Sequence, residues 1–131
     1  MNEGFLGKHT LGGERAATDD HPVILHHLPL AAGAKAKAIP VGMVMKRLEE
    51  GSDPKKAVWA PMEKGDEATL APVAVVDVPC DPVAANGIPG ELSALCVVHG
   101  CVKQRLLKLA DDSAPSDVTL AKLAENGIFA V

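Results

Sequence analysis

The stretch Glu91–Leu109, ELSALCVVHGCVKQRLLKL, restricts the fold more than any other part of the chain. Alternation sends Ser93, Leu95 and Val97 to one side and Leu92, Ala94, Cys96 and Val98 to the other. Both sides are apolar. A strand of that kind needs cover on both faces, so it belongs in the middle of a sheet. His99-Gly100 then predicts a tight turn. Beyond it Val102, Leu106 and Leu109 recur at helical spacing, with Lys103, Gln104, Arg105 and Lys108 outward, which favours a helix over a continued strand.

The segments before and after supply partners for such a strand. AIPVGMVMKRL places Val41, Met43 and Met45 on one side of an alternating strand and Gly42, Val44 and Lys46 on the other. The bend GSDP, residues 51–54, and the return KKAVWAPM make a hairpin anchored by Trp59. Thr69–Val78 reads as a third, largely apolar strand, with Pro72 at its edge or start because proline gives no ladder hydrogen bond. CDPVAANGIPGE, residues 80–91, reads as a loop. Near the end, Ser116 is a helix N-cap, Leu120, Leu123 and Ala124 form an apolar stripe, and Asn126-Gly127 is the stop. The apolar tail Ile128-Phe129-Ala130-Val131 is expected to dock as a short strand, into the sheet or into a neighbouring subunit. Ile128, Phe129 and Val131 are the docking residues.

The chain has 131 residues, room for one domain. It carries 13 Lys+Arg against 17 Asp+Glu, a net charge of −4, which argues against a nucleic-acid grip. Apolar residues reach 47%, but aromatics only 2%, with no Tyr, one Trp and two Phe. A core of Val, Leu and Ala lacks the large area that aromatics bury, so such a domain gains from association. Cys80, Cys96 and Cys101 form no CxxC pair and have apolar neighbours, as buried thiols in a reducing compartment do. No apolar run reaches the ~18–20 residues of a membrane span, and no secretory signal is expected at the N-terminus.

The N-terminal third reads differently. Residues 1–20 are polar and glycine-rich with no period, as in an arm that is disordered in isolation. HPVILHHLPL follows, where Pro22 and Pro29 bracket Val23, Ile24, Leu25 and Leu28. This cluster suits an extended segment added to a sheet edge, or else the first strand of the domain itself. AAGAKAKA, residues 31–38, resembles a linker, although its alanines could also form a short helical turn. The expected organisation is a flexible arm over 1–37 and a compact β-rich domain over 38–131. The fold class is α+β and β-rich: a small mixed β domain with one or two short helices and an extended N-terminal arm.

Reaction chemistry is hard to place. Among the 5 histidines none has zinc-ligand spacing, and His26-His27 would face opposite sides of a strand. Cys96 and Cys101 lie near His99, but no orienting third group accompanies them. No phosphate-loop glycine pattern occurs. The acidic pairs Asp19-Asp20, Glu49-Glu50 and Asp111-Asp112 sit in polar stretches, as solvated loops do. No catalytic, cofactor-binding or metal-ligating residue is assigned, and no enzyme activity is expected.

Five features in order carry a resemblance: KAKAIPVGMVM, the AVWAP return, LAPVAVV, ALCVVHGCV and the terminal TLAKLAENGIFAV. The chain resembles the lambda-type head decoration (capsid-stabilising, cement) proteins of tailed bacteriophages, over roughly residues 38–131. It departs from the small lambda-type member in a longer arm and in Cys101. The resemblance implies the decoration-protein fold and a non-enzymatic structural role. It implies homotrimers at threefold positions outside the expanded head, assembled in the bacterial cytoplasm, that hold the shell against packaged-DNA pressure. It also implies an N-terminal arm that pairs with strands of the major capsid protein. Pro22, Val23, Ile24, Leu25 and Leu28 are then the arm residues expected to bind the capsid. The partners are the capsid protein and further copies of the chain, not nucleic acid or membrane. The alternatives are another phage morphogenetic component, in the tail tube or head–tail joint, or a small thiol enzyme using Cys101 or Cys96 with His99.

Overall fold

The structure is a computed structural model that describes residues 14–18, 22–49 and 57–131. Its strands are β1 (Ile24–Pro29), β2 (Val44–Glu49), β3 (Ala57–Pro61), β4 (Ala74–Val76), β5 (Ser93–Val102) and β6 (Ile128–Ala130). One α-helix, α1, spans Asp117–Glu125. Short 3-10 turns cover Ala32–Ala36, Lys64–Ala68 and Gln104–Leu106. The result is a small mixed domain, mostly antiparallel sheet with one helix, which bears out the α+β, β-rich class.

The strand order is β1-β5-β4-β2-β3, with β6 added to β5 in parallel. β5 is central, as its two apolar faces require. β2 and β3 form the expected hairpin, running from Met45 opposite Pro61 to Glu49 opposite Ala57. The 51–54 bend lies outside the described residues. β4 is only three residues long, far shorter than the Thr69–Val78 strand expected. Pro72 precedes it and Pro79 follows it, and neither can donate to a ladder. Thr69 and Leu70 instead donate backbone bonds to Asp66 and close the preceding turn.

The sheet curls until its outer strands meet. Leu30 bridges Trp59, and the Ala31 amide donates to the Trp59 carbonyl at 2.8 Å. The side chains enclosed by this curl include Leu28, Leu30, Met45, Val76 and Cys96, with Ile39 and Cys80 plugging the space. The other face carries Val44, Val75 and Val97. It is covered by Leu107, Leu109, Leu123 of α1 and Ile128 of β6. Two thin aliphatic cores therefore share one sheet, an arrangement open to a chain with few aromatics.

At Gly100 the structure departs from the sequence expectation. No tight turn forms there, and β5 continues through His99 and Gly100 to Val102. The backbone bends instead. The Asp77 amide donates to Leu95, the Ala16 amide to Asp77, and the Lys103 amide to Ala16. A straight strand would hold residues 95 and 103 about 26 Å apart, too far for that relay. Gly100 supplies the bend with φ +131. Alternation also slips there, because Val97 and Val102 both enter the outer core. After the bend the chain makes one 3-10 turn rather than a helix. Leu107 and Leu109 are buried, and the Lys108 backbone pairs with Gly42 and Val44. That pairing claims the hydrogen bonds a helix would need.

α1 begins at Ser116, whose hydroxyl accepts from the Thr119 amide, and stops at Asn126-Gly127 as expected. Its buried residues are Thr119 and Leu123, while Ala124 is exposed. The Thr119 hydroxyl donates to Glu67 at 2.5 Å, so the buried stripe turns toward Thr119 and away from Ala124.

Candidate functional site

The N-terminal segment is tied to the domain at its root. The Arg15 Nε and Nη2 donate to one Asp77 oxygen at 2.9 and 2.7 Å, and the Ala17 amide donates to the other at 2.9 Å. Asp77 is fully buried. Ala17 bridges Val102, and Glu14 accepts from Lys103 at 3.0 Å and from Arg105. Those bonds from Arg105 and Lys103 hold the Glu14 carboxyl below its ordinary pKa. Residues 14–18 are therefore part of the fold.

Of the arm residues, Leu28 is buried in the enclosed core, and Leu25 and Val23 pack against the outer one. β1 pairs with β5 from Ile24 opposite His99 to Pro29 opposite Ser93. This is the first-strand alternative, and it places Ile24–Pro29 in the sheet, with Leu30 bridging Trp59, rather than in a free arm. Of the five residues expected to bind the capsid, Pro22 and Ile24 are exposed, Ile24 at 51%. The arm expected over 1–37 thus contains 14–18 and 22–37 within the fold, while 1–13 and 19–21 lie outside the described residues.

β1 and β6 compete for one side of β5. β6 takes the slot beside Gly100–Val102. Val23 then has to leave the ladder, and it crosses over Gly100, where a Cβ would lie 2.6 Å from its Cγ1. Ile128 is buried, whereas Phe129 is 46% and Val131 66% exposed. The tail docks into its own sheet and keeps two apolar side chains outside.

The thiol alternative involves Cys101, Cys96 and His99, all on β5, where Cys101 is half-buried and Cys96 buried. Burial pushes the Cys96 pKa up to about 12 and the Cys80 pKa up to about 11, so both thiols stay protonated at neutral pH. Cys96 faces the enclosed core, and His99 is exposed on the opposite parity of β5. Among the described residues no group of three His, Cys, Asp or Glu is placed to hold a metal ion. Also among them, no helix is long and apolar enough to cross a membrane.

Two surface features escaped the sequence reading. The first is a protruding hairpin, residues 81–91. The Ala85 and Ile88 amides donate to each other's carbonyls at 3.0 and 2.8 Å across Asn86-Gly87, both at positive φ. Its base is closed by the Glu91 amide to the Asp81 carbonyl, and by the Asp81 amide to the Glu91 carboxylate at 2.7 Å. The hairpin and its exit expose Val83, Ile88 and Leu92, the last two at 69%. The Asn-Gly pair was the available signal. The second is a groove of about 880 Å³ between the Ala32–Ala36 turn, the β2–β3 ladder and the Lys64–Ala68 turn. Ile39, Met43, Leu48 and Pro61 line it, with Lys37 and Lys64 on its rim.

Comparison of the chain with family models, curated proteins and solved structures finds no match.

Proposed function

We propose that this chain is a structural capsid decoration protein. In this reading it binds the outside of an expanded phage head as homotrimers at threefold positions and braces the shell against packaged DNA. The observation that carries the proposal is the placement of exposed apolar side chains on hydrogen-bonded elements. Ile24 sits on β1, Phe129 and Val131 on and beside β6, and Ile88 on the closed hairpin. Apolar groups held rigidly at a surface favour association, because little side-chain and loop freedom remains to be lost on binding. The clamps at Glu14 and Arg15 add to this, since they fix the root of the expected arm to the domain. An arm with a fixed root meets its partner strand with less entropy lost.

The test is binding to DNA-filled expanded heads and to unexpanded heads of the parent phage, read by co-sedimentation and by electron cryo-microscopy. The protein is expected on expanded heads, as threefold protrusions. Binding to neither form, or stable rings of six or twelve subunits in solution, defeats the proposal, and the rings favour a tail-tube or joining role.

A further inference from the structure

The hairpin and the groove are opposite in shape and in charge. From Cys80 to Leu95 the sequence holds no Lys or Arg, and Asp81 and Glu91 sit at the hairpin base below an apolar tip. The groove has an apolar lining and the lysines Lys37 and Lys64 at its rim. The charged residues lining it are Lys37, Lys46 and Lys64 against Glu63, which faces Lys46 at 3.8 Å, and Asp111, which lies near Lys64, so one positive charge is left over. The tip is also held in shape by four bonds, two across the turn and two at the base. We propose that the hairpin of one copy inserts Ile88 into the groove of a second copy, with Asp81 and Glu91 meeting the lysine rim. Two different patches then face each other, so the contact is head-to-tail; repeated, it closes into a ring where its rotation permits and runs on as a filament where it does not. This rests on the self-association in the reading above and identifies the surfaces that make it.

Two exposed-site variants test the pairing without touching either core. Ile88→Asp spoils the tip, and Lys37→Glu with Lys64→Glu spoils the rim. Each full-length variant is expected to sediment as a monomer at concentrations where the parent is assembled, its affinity weakened at least about tenfold. A mixture of the two retains one intact tip and one intact rim. It is therefore expected to recover a dimer, which a hairpin-to-hairpin contact would not. A parent that is monomeric at about 100 µM overturns the proposal, being weaker than a specific self-contact requires. So does a tip variant that assembles like the parent, or a mixture that stays monomeric. Head binding is read separately on the same proteins. A parent that assembles through tip and groove yet ignores heads keeps this contact and loses the decoration role. A monomeric parent whose binding to heads is abolished by Ile88→Asp assigns the tip to the capsid protein and overturns the contact.

Discussion

Gly100 combines a bend in the central strand with a close approach by another segment. It bends β5 with φ +131, a conformation L side chains rarely adopt. It also lies under Val23, whose Cα is 3.1 Å and Cγ1 2.6 Å from where a Cβ would stand. Gly100→Ala is expected to cost more than about 2 kcal/mol, from backbone strain and contact together. Chemical denaturation measures it. Val23→Ala removes only the Cγ1 contact, so the double variant should recover part of the loss and leave the strain. A Gly100→Ala protein as stable as its parent would mean that the bend is carried elsewhere. The sequence marked this position with a glycine but could not distinguish a turn from a bend. Both need the same residue, and the choice was made by β6 and residues 16–17, which pair with the strand beyond it. Asp77 carried a signal that the sequence reading did not use. A carboxylate among Val75, Val76 and Val78 signals a buried charge in want of a cation. Nothing in the arm pointed to Arg15, 62 residues away, as the cation.

At the level of elements, α1 illustrates how polar contacts redirect an amphipathic pattern. Its cap, its stop and Leu123 were legible because they depend on neighbours in sequence. The burial of Thr119 was not, because it depends on Glu67 in a separate turn. Glu67 accepts from the Thr119 hydroxyl at 2.5 Å and from the Ser116 amide at 2.7 Å, and its own carbonyl accepts from Lys122 at 2.9 Å. Partial burial raises the Glu67 pKa, but the bonds from Thr119 and Ser116 outweigh it and leave the carboxyl below its ordinary value. A carboxyl that titrates lower when folded than when unfolded stabilises the fold in its ionised form. That share is complete above the unfolded value and is lost as pH falls through the folded one. Asp66, lowered chiefly by its bond from Lys46, acts in the same direction. The domain is therefore expected to weaken below about pH 4.5. Glu67→Gln should cost about 1 kcal/mol at pH 7, and its gap to the parent should narrow as pH falls. Thermal melts across pH 7 to 3 give the comparison. A gap independent of pH would assign the loss to shape rather than charge.

For the molecule as a whole, the class of fold and the central strand were legible, since both follow from hydrophobic alternation. The boundary between arm and domain was not. Composition set off a polar, glycine-rich stretch over 1–20 and a linker-like one over 31–38, but anchoring is decided by individual clamps. Arg15–Asp77, Glu14–Lys103 and the β1–β5 ladder extend the domain back to residue 14. This alters how the arm is to be tested. Removing residues 1–30 would delete β1 and the Asp77 cation together, and any loss of head binding would then follow from unfolding. Removing 1–13 retains every clamp from Glu14 onward. That protein is expected to match the parent in denaturation to within about 0.5 kcal/mol and to bind heads far more weakly. Removing 1–18 leaves the fully buried Asp77 carboxylate without Arg15 or the Ala17 amide, and is expected to cost about 2–4 kcal/mol. The pair of truncations separates a binding segment from a structural one, because the first should alter affinity alone and the second stability as well. If the 1–13 deletion binds heads as the parent does, the arm mechanism is wrong, and attachment has to come from Ile24, Phe129 and the hairpin tip.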